Sequence, residues 1–141
     1  DLISTGDEGY NFPKVNTGMD ALTRPALYGA AHPLVIIPQT EEARGTKDYV
    51  VCGHCCESGD VFTVTEDDSL EPRTLTEAKI GDIICIEGTG AYCASMSLKG
   101  YNSFPAAAEI LLDTKGQSHV IREAQPLEAL YQNESIPSHL K

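Results

Sequence analysis

Pro33-Leu34-Val35-Ile36-Ile37-Pro38 is the stretch that decides the fold, because a short apolar run between two prolines is typical of a β-strand. Comparable short runs recur along the chain, separated by Gly, Pro and Asp. They lie at residues 47–52, 60–65, 80–86, 108–113 and 117–122. Runs of this length and spacing predict a mostly β domain, built as a Greek-key-like barrel or sandwich.

Helical patterns are few. Residues 74–78 suit the start of a short helical turn, and residues 125–131 carry Pro126 near a potential helix start. We therefore expect one or two short helices beside the strands. The predicted domain covers residues 1–132, and residues 133–141 form a flexible tail because they have little to bury.

Composition narrows the possible partners. The chain has 141 residues, and its 21 acidic and 10 basic residues give a net charge of −11. No run of Lys and Arg interrupts this balance, so we expect no nucleic-acid partner. No eighteen consecutive apolar residues occur, so we expect no membrane-spanning helix. An anionic substrate would need a local cation, such as Arg24.

The cysteines indicate a reducing compartment. Their number, five, is odd, and Cys55 and Cys56 are adjacent, which argues against a secreted disulfide framework and favours the cytoplasm. Cys85 lies in the apolar run 80–86, so we expect it to be a buried core thiol.

The densest chemistry lies at residues 52–60, C-G-H-C-C-E-S-G-D. Thiolates and imidazole suit zinc, but adjacent side chains of an extended segment point to opposite faces. A redox C-x-x-C pair would lack a helix N-terminus to lower a thiol pKa. A small metal or redox module, using Cys52, His54, Cys55 and Cys56, remains one alternative. The other interpretation is that Cys56 and Glu57 are presented together where a strand breaks into a turn at Gly59.

Two further clusters suit ligand binding. Arg24 and Tyr28 are four positions apart, so a helical turn would place a guanidinium and a phenol on one face, where they suit a carboxylate. A surface arginine beside a packed tyrosine is the structural alternative. Tyr92 follows Gly88 and Gly90, which let the backbone approach a ligand closely.

Taken in order, the motifs R-P-A-L-Y-G-A, C-E-S-G-D and G-A-Y-x-x-S-M-S, with Y-N-S-x-P, resemble the C-terminal part of diaminopimelate decarboxylases. These are fold-type III enzymes that use pyridoxal 5'-phosphate (PLP), related to ornithine and arginine decarboxylases and more distantly to alanine racemase. The resemblance covers residues 12–113. Relatives outside the group usually have C-D-G-x-D in place of C-E-S-G-D, and this difference favours diaminopimelate over ornithine or arginine as the substrate.

The resemblance implies a role for each matching residue. Arg24 and Tyr28 would bind a substrate carboxylate, and Glu57 would recognise the distal amino group. Cys56 would be the proton donor to the carbon that loses CO2. Tyr92 would contact both cofactor and substrate. A thiol beside a carboxylate suits proton donation, because the negative charge favours the protonated thiol.

The resemblance also implies what this sequence lacks. The Schiff-base lysine belongs to a preceding barrel, and Lys14, in Phe12-Pro13-Lys14-Val15-Asn16, stands in the wrong place for it. Phe104 stands where many relatives have an arginine. The polar start at Asp1, without Met, suggests an excised fragment or processed product. We therefore expect one part of a lysine-forming decarboxylase, inactive without its PLP-binding N-terminal barrel, in a homodimer that shares its sites across the interface.

Overall fold

The chain forms two units, Asp1–Leu98 and Lys99–Lys141, in a computed structural model that describes residues 1–7 and 9–140. Within those residues there are eight strands, one short α-helix and three 3-10 turns. The mostly β class predicted from the sequence is confirmed. The named strands pair as four two-stranded antiparallel sheets, and closure into a barrel stays a prediction. Across the described ranges, no helix is long and apolar enough to cross a membrane.

Three of the strand pairs build the first unit. β1 (Leu2–Ser4) pairs with β2 (Asn11–Pro13), β3 (Leu34–Ile37) with β6 (Ile83–Ile86), and β4 (Thr46–Tyr49) with β5 (Arg73–Thr76). In addition, β3 lies against β5 and β2 against β4. Long loops between β2 and β3, and between β4 and β5, carry the predicted site residues of the first and second motifs.

The alternation of side chains along β3 and β6 decides which of them reach the core. Ile36 is buried opposite Ile84, whereas Val35 and Cys85 form the neighbouring pair and are exposed. Successive side chains of a strand point to opposite faces, so an apolar run does not bury all of its members. The expectation that Cys85 is a buried thiol is therefore wrong.

The core of the first unit brings together residues that are far apart in sequence: Leu22, Ile36, Tyr49, Val51, Phe62 and Cys93. Tyr49 stays buried because its hydroxyl oxygen accepts a hydrogen bond from the Ala78 backbone N–H at 3.0 Å. A buried polar group with a partner avoids the cost of desolvation.

Two of the predicted elements are different in the structure. Residues 60–65 are not a strand but a segment with isolated bridges at Val61 and Val64. Phe62, Thr63 and Val64 are all buried in succession, which a regular strand with one solvated face does not allow. Residues 74–78 do not start a helix, because Arg73–Thr76 pairs with β4 instead.

The second unit is built around a hairpin of β7 (Glu109–Leu112) and β8 (Ser118–Arg122). Asp113 organises its turn by accepting hydrogen bonds from the N–H groups of Lys115 and Gln117 at 2.8 and 2.9 Å. Around the hairpin are 3-10 turns at Tyr101–Ser103, Leu127–Leu130 and Ser138–Leu140.

The C-terminal segments agree in part with the predictions made for them. The helix predicted at 125–131 is only the four-residue 3-10 turn after Pro126. Residues 133–140 are exposed, and Lys141 lies outside the described residues. The tail boundary after residue 132 stays a prediction.

Candidate functional site

The first predicted site segment forms a single helical turn. α1 (Arg24–Tyr28) begins after Thr23, with Pro25 in its first turn, and ends at Gly29 in the left-handed conformation, φ 59°. A side chain at Gly29 would also place its Cβ 2.3 Å from the backbone nitrogen of Glu66. Only glycine satisfies both conditions, so the end of the helix is fixed by sequence.

Arg24 and Tyr28 share a face of this turn, as predicted. The guanidinium carbon of Arg24 lies 5.7 Å from the centroid of the Tyr28 ring, within the range of a cation–π contact. Tyr28 is exposed, whereas Pro25 is buried beneath it. The helix therefore presents a cation and a phenol outward from an anchored base.

The second site segment, residues 53–60, is a loop organised by one buried carboxylate. Asp60 accepts hydrogen bonds from the backbone N–H groups of Met19 and Cys55, each at 2.7 Å. Met19 belongs to the turn that leads into α1. The carboxylate of Asp60 therefore connects the loop of Cys56 and Glu57 to the approach of Arg24.

Glycines on both loops make room for this carboxylate. A Cβ at Gly18 would lie 2.4 Å from Oδ2 of Asp60, and a Cβ at Gly53 would lie 2.2 Å from the same atom. Each distance is far below van der Waals contact. The two loops approach Asp60 so closely only because neither has a side chain at this position.

The adjacent cysteines separate as expected for neighbouring side chains. Cys55 is buried, and Cys56 and Glu57 are exposed. Burial, followed by the negative charge of Asp60, raises the pKa of the Cys55 thiol to about 12. Oε1 of Glu57 accepts hydrogen bonds from the Ser58 hydroxyl at 3.2 Å and the Gly59 N–H at 3.3 Å. These contacts orient the carboxylate at the surface.

The third site segment holds Tyr92 in a conformation unusual for a bulky residue. Its φ is 60°, in the left-handed region, and its side chain is 68% exposed. The next residue, Cys93, is buried in the same core cluster as Leu22. Cys93 therefore anchors the loop while the phenol of Tyr92 points outward. Backbone strain such as the positive φ of Tyr92 is typical of functional positions.

These connections attach the three segments to one part of the first unit. The Asp60 carboxylate joins residues 19 and 55, and Leu22 and Cys93 share the core cluster. The Leu98 N–H also donates to the Met19 carbonyl at 3.4 Å. Sequence analysis missed the organising role of Asp60, although its position in C-E-S-G-D was available as a signal.

The structure does not bring together the four residues of the alternative metal or redox module, Cys52, His54, Cys55 and Cys56. Among residues 1–7 and 9–140, the group suited to hold a metal ion is Asp20, His54 and Cys55, without Cys52 or Cys56. Burial, followed by the charge of Asp60, raises the pKa of Cys52 as well as that of Cys55. A raised thiol pKa opposes the redox interpretation, since the thiolate is the reactive form.

Comparison with known families identifies the chain. The sequence profile described as "Pyridoxal-dependent decarboxylase, C-terminal sheet domain" matches residues 3–90, more than half of the chain. The chain belongs to this family. The family resemblance inferred from the three motifs is thereby confirmed.

The curated relatives include diaminopimelate decarboxylases from several organisms. The Escherichia coli (strain K12) protein is 43% identical over 123 residues, which is 85% of this chain and 29% of the relative. The Streptomyces coelicolor protein is 38% identical over 131 residues, 89% of this chain and 29% of the relative. A stand-alone metal or redox module is not favoured by these matches.

Solved structures give the same result for the fold. A crystal structure of diaminopimelate decarboxylase superposes with a TM-score of 0.83 at 41% identity, covering 92% of this chain and 31% of that protein. The Helicobacter pylori enzyme complexed with L-lysine gives 0.75 at 34% identity, covering 93% and 29%. The chain thus spans about 30% of the length of these relatives.

Proposed function

We propose that this chain is the substrate-recognising and dimer-forming C-terminal part of a PLP-dependent diaminopimelate decarboxylase, which converts meso-diaminopimelate to L-lysine and CO2. The observation that carries the proposal is the exposed Cys56–Glu57 pair on a loop fixed by Asp60, in a chain 43% identical to such an enzyme. The odd number of cysteines and the adjacency of Cys55 and Cys56 support a reducing, cytoplasmic setting.

The exposed residues fit a contribution to a cofactor site rather than a complete one. Tyr92 projects from an anchored loop, so its phenol is available to a cofactor ring and to substrate. When bound, PLP supplies the electron sink for decarboxylation, and the protein supplies orientation, charge recognition and protons. Lys14 is exposed beside β2, where its backbone forms an isolated β-bridge with Cys52, and we assign the Schiff-base lysine to the barrel instead.

Arg24 and Tyr28 suit the recognition of a substrate carboxylate. The guanidinium offers two parallel N–H donors, and the phenol on the same face offers a third. The chain carries a net charge of −11, so a diffuse positive surface does not attract the anion. Recognition depends on this placed cation instead.

Cys56 and Glu57 divide proton transfer from recognition. The Cys56 Sγ–H donates its proton to the carbon from which CO2 has left, and the resulting thiolate regains a proton from water. The Glu57 carboxylate pairs with the distal ammonium of the substrate, with its orientation set by Ser58 and Gly59. Cys56 and Glu57 are adjacent but have different tasks, so each side chain needs a defined direction. The loop that Asp60 organises provides it.

The exposed apolar side chains of the hairpin support a surface that binds partners. In the hairpin of the second unit, Ile110, Leu111, Leu112, Val120 and Ile121 are all at least half exposed. Ile110 and Val120 are cross-strand partners, and apolar side chains exposed together at a surface indicate an interaction site. We propose that the PLP-binding barrel and a second protomer are the partners of the chain, with Cys56 and Glu57 delivered across the dimer interface.

The test compares two cysteine variants of the gene product that contains this sequence, supplemented with a relative's PLP-binding barrel if it lacks one. We expect Cys56→Ala to lower kcat for diaminopimelate about 10²–10⁴-fold with little change in KM, as for loss of a general acid. Cys85→Ala, at an exposed strand position, is the matched control. Glu57→Gln is expected to raise KM instead.

The assay follows lysine formation and CO2 release with diaminopimelate, ornithine and arginine. Equal rates for Cys56→Ala and Cys85→Ala would contradict the assigned proton donor. A higher kcat/KM with ornithine or arginine would favour the related decarboxylases over the proposed substrate.

A further inference from the structure

Three side chains from two loops converge beside the predicted site. Nε2 of His54 lies 2.8 Å from Oδ1 of Asp20, and Sγ of Cys55 lies 3.7 Å from the same oxygen. All three potential ligand atoms lie within 4.8 Å of one another. None of these residues has a role in the proposed decarboxylation, so their convergence needs its own explanation.

The donor set has the chemistry of a transition-metal site. Imidazole nitrogen, thiolate sulfur and carboxylate oxygen are the ligands of zinc, with bonds of about 2.0–2.3 Å. In a tetrahedral site such bonds place the ligand atoms about 3.3–3.6 Å apart. The sulfur–oxygen separation of 3.7 Å is slightly above this range, and the nitrogen–oxygen separation of 2.8 Å must widen by about half an ångström.

The surroundings hold these ligands in place. The side chains of His54, Asp20 and Cys55 are largely buried, at 18%, 10% and, for the whole residue, 8% exposed. The backbone N–H of His54 donates to the Thr17 carbonyl at 3.1 Å, which joins the two loops beside the site. The Asp60 carboxylate joins them a second time through Met19 and Cys55. Metal sites require such outer support to orient their ligands.

We propose that Asp20, His54 and Cys55 form a binding site for one divalent metal ion of the zinc class, with water in the fourth position. On binding, the Cys55 S–H bond breaks, its proton goes to the solvent, and the sulfur electron pair forms the bond to the metal, whose positive charge outweighs the burial and the Asp60 charge that keep this thiol protonated in its absence. The proton that Nε2 of His54 shares with Oδ1 of Asp20 moves to Nδ1 or to the solvent, and Nε2 and Oδ1 then each form a bond to the metal in place of their hydrogen bond. No electron transfer is involved.

The site would have a structural consequence that is separate from catalysis. Asp20 lies four residues before Arg24, and Cys55 directly precedes Cys56. A bound ion would therefore clamp the loop of the carboxylate-binding arginine to the loop of the proton donor. The inference does not depend on the decarboxylase function, because it rests on the ligand geometry alone.

Direct metal titration tests the proposal in the purified gene product. We expect one Zn²⁺ per chain, measured by competition with a chromophoric chelator, and a rise in Tm on Zn²⁺ addition. Co²⁺ is expected to give a thiolate charge-transfer band in the near ultraviolet. Cys55→Ser should remove this band, and it should weaken Zn²⁺ binding by more than about 100-fold, since loss of an outer partner alone costs about 10–100-fold.

Matched variants make the outcome decisive. Asp20→Asn keeps the shape of the side chain and is expected to weaken Zn²⁺ binding while leaving the protein folded by circular dichroism. Cys85→Ser is expected to retain the band and the stoichiometry. The proposal is overturned if the folded protein binds no stoichiometric Zn²⁺, or if the band survives Cys55→Ser and disappears in Cys56→Ser.

Discussion

The two units of the chain treat apolar side chains in opposite ways. In the first unit, Val50 and Val51 are completely buried. Phe62 belongs to a cluster of buried side chains whose other members come from four parts of the sequence. In the second unit, none of the residues from 99 to 140 is buried, and Leu112 of its hairpin is 69% exposed. The same residue types thus form a core in one unit and a surface in the other.

This difference shows where the chain supplies its own support. The three predicted site segments are attached to the core of the first unit through Leu22, Asp60 and Cys93. The hairpin of the second unit holds its turn through Asp113, but the apolar side chains of its strands are exposed and no residue from 99 to 140 is buried. The first unit therefore supports the predicted site segments with its own core, whereas the second leaves the apolar side chains of its hairpin exposed.

The largest effect is expected from truncation of the core. Phe62→Ala should lower the free energy of unfolding by about 3–5 kcal/mol, because a buried ring leaves a cavity behind. Leu112→Ala in the hairpin, measured in this chain without the proposed partners, should change it by less than about 0.5 kcal/mol, as for an exposed position. Urea denaturation followed by circular dichroism measures both. Similar losses for the two variants would show that the hairpin is as well packed as the core.

A smaller effect is expected at the carboxylate that joins the two site loops. Asp60→Asn keeps one acceptor oxygen but turns an amide nitrogen toward one of the N–H groups of Met19 and Cys55. An unpaired buried donor costs about 1–3 kcal/mol, and we expect this loss in the free energy of unfolding.

Asp68→Asn is the matched control for this change. Asp68 is exposed in a turn, and its φ of 62° is one that asparagine tolerates. We expect it to alter stability by less than about 0.5 kcal/mol. If Asp60→Asn were equally silent, the carboxylate would not connect the two loops energetically.

Regular strands with an apolar run could be predicted from the sequence, and the exceptions have physical reasons. β3 and β7 lie where prolines or turns bracket a run. At Arg73–Thr76, pairing with β4 outweighs the local helical pattern, which is a tertiary effect that propensity does not contain. The expectation for Cys85 fails because an apolar run predicts burial of all its members, whereas the strand within 80–86 alternates and leaves Cys85 exposed.

Some features of the candidate site could likewise be predicted from neighbouring residues, whereas others depend on residues far apart in the sequence. Arg24 and Tyr28 share a face because their spacing matches one helical turn, which sequence alone supplies. The opposite directions of Cys55 and Cys56 also follow from adjacency. Asp20 was not predicted as a neighbour of His54, because 34 residues separate them and only the folded loops bring them together.

The smallest effect in the comparison concerns two turn carboxylates, one in each unit. In the first unit, hydrogen bonding to Arg44, and next to the Lys79 N–H, lowers the pKa of Asp82 to about 2. In the second, the Gln117 N–H and His119 lower the pKa of Asp113. Because the folded-state pKa is depressed, each carboxylate stabilises the fold above its unfolded pKa, near 3.8, and loses this contribution as pH falls.

We therefore expect the midpoint temperature of unfolding to fall as the pH is lowered from about 4 to about 2. The slope of this temperature against pH should be shallower in Asp82→Asn. Asp113→Asn should flatten the slope less, because no arginine is among the groups that lower the pKa of Asp113 and none of residues 99–140 around it is buried. Thermal unfolding at a series of pH values measures both variants at constant ionic strength. A larger change for Asp113→Asn would reverse the comparison, since it would mean that the hairpin turn, and not the core unit, limits stability in acid.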